Sequence, residues 1–120
     1  MTTPLPTIIS EYQAASDRGD FDAAVGCFTD DAAVIDQGQE VRGHANIRQW
    51  LKSAATEYER TVEVRGATAL GTVDGLDRHD VFTHLEGNFP GGTVDLTDRF
   101  GLLHGRIASL EFVPTQADVA

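Results

Sequence analysis

A single cysteine, Cys27, excludes an intrachain disulfide in this chain of 120 residues. Cys27 falls beside Val25 and Phe28 in a predicted helix with no histidine near it in sequence. It reads as a small buried apolar residue rather than a nucleophile. Basic residues are also scarce. Nine Lys and Arg stand against 19 Asp and Glu, a net charge of -10. Such a surface repels phosphate backbones and anionic lipid heads, which excludes nucleic acid and membrane surfaces as partners. No apolar run approaches the ~20 residues of a membrane span. The opening residues, Met1 to Pro6, have neither the basic start nor the apolar core of a secretory signal, so a cytoplasmic protein is expected. No Cys/His set has zinc spacing, and no Gly-x-Ser-x-Gly elbow or Walker loop is present, so neither a metal nor a cofactor is expected. Gly91-Gly92 beside Pro90 is turn chemistry without a phosphate-binding context.

What is present is ordinary for a soluble domain. Hydrophobic residues make up 41% and charged residues 23%. The length suits one domain, residues 1–120, with a modest core. Leu5, Ile8, Ile9, Tyr12 and Ala15 follow the spacing of an amphipathic helix. Gly19 ends it and Asp20 caps a short second helix carrying Phe21, Ala24, Val25 and Phe28. Thr29 to Asp31 reads as a turn, and Ala32 to Asp36 as a strand with Ala32, Val34 and Asp36 on one face. A third helix opens at His44 and carries Ile47, Trp50, Leu51, Ala54 and Tyr58 on one stripe. After Arg60 the period changes to two. Strands are expected at 61–70, 77–86, 94–103 and 106–113, with a hairpin turn at Asp74-Gly75. Helices followed by antiparallel strands mean an α+β domain.

Three polar residues fall on core-facing rows: Tyr12 in the first helix, Asp36 at the end of the first strand, and Asp98 on the inward row of residues 94–103. A carboxyl group on such a row is costly unless it is paired, protonated or beside a cavity. Each residue also has an ordinary structural explanation. Tyr12 would bond a backbone carbonyl, Asp36 would cap the turn at Gln37-Gly38, and Asp98 would pair with an arginine on a neighbouring strand. His84 and Glu86 alternate on one strand and read as a solvent- or dimer-facing pair before they read as a proton relay or metal ligands.

The stretch from Gly19 to Asp36, the segment from Gly43 to Trp50, and Asp98-Arg99-Phe100 with the closing hairpin to Phe112 resemble the nuclear transport factor 2-like, or SnoaL-like, superfamily from Leu5 to Val113. The resemblance implies a conical barrel: a strongly bent antiparallel sheet wrapped around a long helix, with three N-terminal helices. It also implies a homodimer through the outer sheet face and a pocket for a small apolar molecule. Within the superfamily, the active-site likeness is to ketosteroid isomerase. That likeness implies Asp36 as the base, with Tyr12 and a protonated Asp98 as donors to an enolate oxygen. Trp50, Ala54, Tyr58, Phe100 and Phe112 are expected around the substrate. The chain departs from the isomerases at Gln37, where a proline usually follows the base, and at Leu51, where a further tyrosine often follows the aromatic of the third helix. The alternatives on the same fold are a polyketide cyclase and a non-catalytic binding or dimerisation module.

Overall fold

The computed structural model describes residues 5–57, 59–88 and 90–115. Helix α1 (Thr7–Asp17) buries Ile9, Tyr12 and Ala15, one residue per turn along a single stripe. Helix α2 (Phe21–Gly26) starts at Asp20, whose carboxylate accepts the Ala23 N–H at 3.1 Å. Strands β1 (Phe28–Asp36) and β2 (Gln39–Arg42) form a hairpin that leads into helix α3 (His44–Glu57). The long strands β3 (Arg60–Val73), β4 (Leu76–Gly87), β5 (Thr93–Leu103) and β6 (Arg106–Pro114) follow. Two-residue turns at Gln37-Gly38, Asp74-Gly75 and His104-Gly105 hold both central residues at positive φ, between 52° and 81°. That is the geometry whose twist matches right-handed strands, and a glycine in second place makes it cheap.

The strands form one sheet in the order β2-β1-β6-β5-β4-β3, open at both edges. The sheet is curved. Register shifts in the β3–β4 and β5–β6 pairs mark the irregularities that bend a sheet. Three expectations need correction. Phe28 is not in the second helix, which ends at Gly26, but opens β1. The sheet is not wholly antiparallel, because β1 runs parallel to β6. Residues 29–31 are not a turn but the irregular start of β1. Phe28, fully buried, pairs with Ile107, and the exposed Asp30 and Asp31 fall in the register shift before Ala33.

The parallel pairing has a consequence for the site. In register, Asp36 lies beside Phe112, and Phe112 lies beside Asp98. The two aspartates therefore stand on one face, two strands apart, about 10 Å between backbones at normal strand spacing. That face is solid at one end and hollow at the other. Ile9, Phe28, Val34, Ile47, Phe100, Ile107 and Leu110 fill the solid end. Beyond Asp98 the inward row continues through Leu96 and Val94, which line a cavity instead. Among the described residues, no helix is long and apolar enough to cross a membrane.

Candidate active site

The cavity holds about 540 Å³, within the range of small-molecule sites. Its walls are mostly apolar: Val62, Val64, Leu85, Val94, Leu96 and Phe112 from the sheet, with Trp50, Leu51 and Ala54 from α3. Tyr12, Asp36 and Asp98 all line it. Of the residues expected around a substrate, Trp50, Ala54 and Phe112 also line it. Phe100 does not. It is fully buried one inward position further along β5, behind Tyr12, and the two rings meet edge to face at 6.1 Å. Tyr58 lies outside the described residues.

Tyr12 is held by its ring, and its hydroxyl is free among the described residues. Phe28 meets the ring edge to face at 5.4 Å on the side away from the cavity. The residue is only 6% exposed, yet its hydroxyl has no hydrogen bond to any described residue. No sealed polar side-chain atom lacks a partner among the described residues, so this hydroxyl opens onto the cavity. Burial, and then the nearby charge of Asp98, push its pKa well above the usual phenol range. The group is a neutral hydrogen-bond donor at every ordinary pH.

Asp98 is also 6% exposed and has no cationic partner among the described residues. The Thr83 hydroxyl on β4 donates to its Oδ1 and to the Leu96 carbonyl, each at 3.4 Å. Burial is the main reason that its pKa is pushed up to about 7. The Thr83 hydrogen bond works against this rise, and the charge of Asp36 adds to it. The position of Asp98 explains the burial: it closes the cavity where the packed core begins.

Asp36 is half-buried at the end of β1. Its Oδ2 accepts the Trp50 indole N–H from α3 at 3.0 Å. No hydrogen bond ties its carboxylate to the following turn, among the described residues. Trp50 also packs against Phe112 with ring centres 5.6 Å apart. A smaller opening of about 270 Å³, lined by Asp36, Gln37, Gln39, Val41 and Trp50, lies next to the main cavity. The carboxylate is thus fixed in direction while bordering space on two sides.

The arrangement joins a phenol and two carboxyl groups, one of which keeps its proton up to about pH 7, around a mostly apolar space. Such a set can withdraw a proton from carbon and hold the oxygen on which negative charge develops. No histidine is among the described residues that line the cavity. His44 bonds the Phe28 carbonyl at 3.0 Å, and His79 contacts Asp77 at 3.0 Å. His84 lies on the opposite sheet face, between Asp95 and Glu86. No set of three or more potential metal ligands occurs among the described residues.

Sequence reasoning did not find Thr83, the Trp50–Asp36 bond, or Arg60 on the cavity wall. Strand alternation carried a signal for Thr83 and Arg60, since each shares an inward row with apolar residues. Nothing local marks Trp50 as a partner of Asp36.

Residues 9–110 match the SnoaL-like domain family. The chain belongs to that family. Its nuclear transport factor 2-like superfamily includes solved structures of the same shape. A Sinorhizobium meliloti protein assigned as a polyketide cyclase is 34% identical, with a TM-score of 0.84 over 91% of this chain and 95% of that one. The epoxide hydrolase/cyclase-like enzyme SalBIII, which has a role in pyran ring formation in the polyether salinomycin, is 28% identical. Its TM-score is 0.74, over 92% of this chain and 90% of that one. A Catenulispora acidiphila protein with a ketosteroid isomerase-like fold, in complex with trimethylamine, is 19% identical, with a TM-score of 0.79 over 97% of this chain and 91% of that one, and shows the fold alone. No protein of curated function matches the sequence.

Proposed function

We propose that this SnoaL-like protein is an acid–base enzyme that enolises an apolar carbonyl compound in the manner of ketosteroid isomerase. Asp36 takes the proton from the carbon beside the carbonyl. The C–H electron pair moves into the new C=C bond, and the carbonyl π pair moves onto oxygen. Tyr12 and protonated Asp98 donate hydrogen bonds to that oxygen. Returning the proton from Asp36 to a different carbon completes an isomerisation. Trp50, Ala54 and Phe112 contact the substrate, and no cofactor takes part. The reading includes a conical closure of the curved sheet over the cavity and a homodimer through the outer face, which carries His84, Asp95 and Arg99. It places the protein in the cytoplasm.

The observation that carries the proposal is the Tyr12 hydroxyl. A core tyrosine would have found a backbone carbonyl. This one faces an apolar cavity with no bond to any described residue, beside an aspartate whose pKa favours the protonated form below about 7. Preorganised donors in a water-poor site act mainly on developing charge. A second reading draws on the 34% identity to the polyketide cyclase-assigned protein. In it, the same enolate attacks a second carbonyl of the substrate, the new alkoxide takes up the proton, and a ring closes.

Steady-state assay of Asp36→Asn with a β,γ-unsaturated ketone tests the proposal. The variant keeps the shape and removes the base, so proton transfer should fall by about 10²–10⁴-fold while phenol binding persists. Equal rates in variant and parent, or no turnover of any such ketone by the parent, would leave the binding-module reading in place.

A further inference from the structure

The cavity has a cation in its wall that acid–base chemistry does not use. Arg60 opens β3 on the same inward row as Val62 and Val64, and all three line the cavity. Its Nη1 donates to the Ala54 carbonyl at the end of α3, at 3.1 Å. That contact fixes the guanidinium at the rim, where α3 meets the sheet. One of its five N–H donors is used, and the rest of the planar fork is available. No carboxylate lies within ion-pair distance of Arg60 among the described residues. By contrast, Arg18, Arg42, Arg48 and Arg65 each have an acidic partner. Arg78, Arg99 and Arg106 also have no acidic partner among the described residues, but none of them lines the cavity, so what sets Arg60 apart is its place in that wall. Arg60 is also the only Lys or Arg among the lining residues described. Its charge reaches the inner end of the site, where it opposes the rise in the Tyr12 pKa caused by burial and by Asp98. Asp17 lines the same cavity but makes no ion pair with Arg60.

We infer that Arg60 is a specificity-determining residue, and that the substrate is an apolar carbonyl compound carrying a carboxylate, which the guanidinium holds at the rim while the carbonyl reaches Tyr12 and Asp98. The inference rests on the acid–base reading for the direction in which the substrate lies. A bidentate guanidinium–carboxylate pair against apolar walls orients as well as binds. It presents the carbonyl end inward and keeps the charged end at the solvent side, where desolvation costs least.

Two pairs of simple aromatics separate this inference from the reading beneath it, with affinities measured by calorimetry at pH 6. Naphthalene-2-acetate against its methyl ester tests Arg60, and 2-naphthol against naphthalene tests the inner donors. The carboxylate should bind the parent about tenfold or more tightly than its ester, and the preference should shrink as salt is raised. Arg60→Gln should abolish that preference, and Arg60→Lys should retain part of it, because the charge remains and the fork is lost. Thermal melts check that the variants fold. A parent with no preference for the carboxylate overturns the inference, and the parent measurement suffices if Arg60→Gln does not fold. A preference that survives intact in Arg60→Gln also overturns it. If 2-naphthol binds no better than naphthalene while the carboxylate preference holds and depends on Arg60, the inner-donor reading fails and Arg60 stands as an anion anchor. If naphthol binds well and the carboxylate does not, the reverse applies.

Discussion

Replacing Asp98 with asparagine should change how stability depends on pH, by an amount the structure supplies. The carboxyl is ordinarily ionised above 3.8, and in the fold it is pushed up to about 7. Between those values the native state holds a proton that the unfolded chain has released. Stability therefore falls as pH rises through this window, by about 1.4 kcal/mol per pH unit. The whole effect is about 4 kcal/mol, absent below about pH 4 and complete above about pH 7. Asparagine keeps the volume, and its carbonyl oxygen can still accept the Thr83 hydroxyl, but it does not titrate. Unfolding in urea from pH 4 to pH 9 gives both stabilities. Titrating groups that do not interact with Asp98 act equally on the two proteins, so the difference curve isolates Asp98 and its coupling to Asp36 and Tyr12. The variant should gain on the parent steadily up to about pH 7 and then hold level. Parallel curves, within about 1 kcal/mol, would mean that Asp98 ionises as it does in water and is not desolvated at the cavity floor. The argument for a protonated donor would then fail. Enolisation should follow the same titration, with kcat/KM falling as pH rises past about 7.

Tyr12→Phe should separate function from stability. Its hydroxyl has no partner to lose among the described residues, so the change in unfolding free energy should stay under about 1 kcal/mol, while the barrier to turnover rises by about 3 kcal/mol; a large loss of stability in urea unfolding would show that the hydroxyl is bonded within the fold. Trp50→Phe removes the N–H donor from Asp36 while keeping an aromatic against Phe112. It should cost about 1.5–3 kcal/mol of stability and slow enolisation, read by unfolding and ketone assay together, and an unchanged rate would refute the positioning of Asp36 by Trp50. His84 has Asp95 at 2.6 Å and Glu86 at 3.0 Å, one on each ring nitrogen, which raises its pKa. A raised histidine contributes stability that is full below about pH 6.5 and lost as pH rises through its folded value; NMR titration of the imidazole should place that value above 6.5, and a midpoint at or below it would count against the bracket.

Much of the local structure was legible in the chain. The apolar spacing at Ile9, Tyr12 and Ala15 placed the tyrosine on a buried stripe, because helical period alone decides which residues share a face. Alternation placed Asp98 on the row of Leu96 and Phe100, and put Arg99 on the other side. Asp74-Gly75 announced its turn, since few residue pairs accept two positive φ values in succession. Residues 29–31 misled for a related reason. Three short polar residues favour a turn, but the burial of Phe28 and its pairing with Ile107 drew them into an irregular strand. The long-range pairing of Phe28 outweighed local preference.

What the tertiary structure alone decided is neighbourhood and depth. Period two tells which face a residue occupies, and nothing about which strand lies beside it. The parallel placement of β1 against β6 brought Asp36 and Asp98 onto one row with Phe112 between them, across 62 residues of chain. Period also does not show where packing ends. Phe100 and Leu96 are equivalent in pattern, yet one is core and the other cavity wall, because Tyr12 and the buried cluster pack onto Phe100 while the space over Leu96 is left open. The aspartate between them lies where solid packing gives way to space, and that boundary gives it both its burial and its access to a ligand.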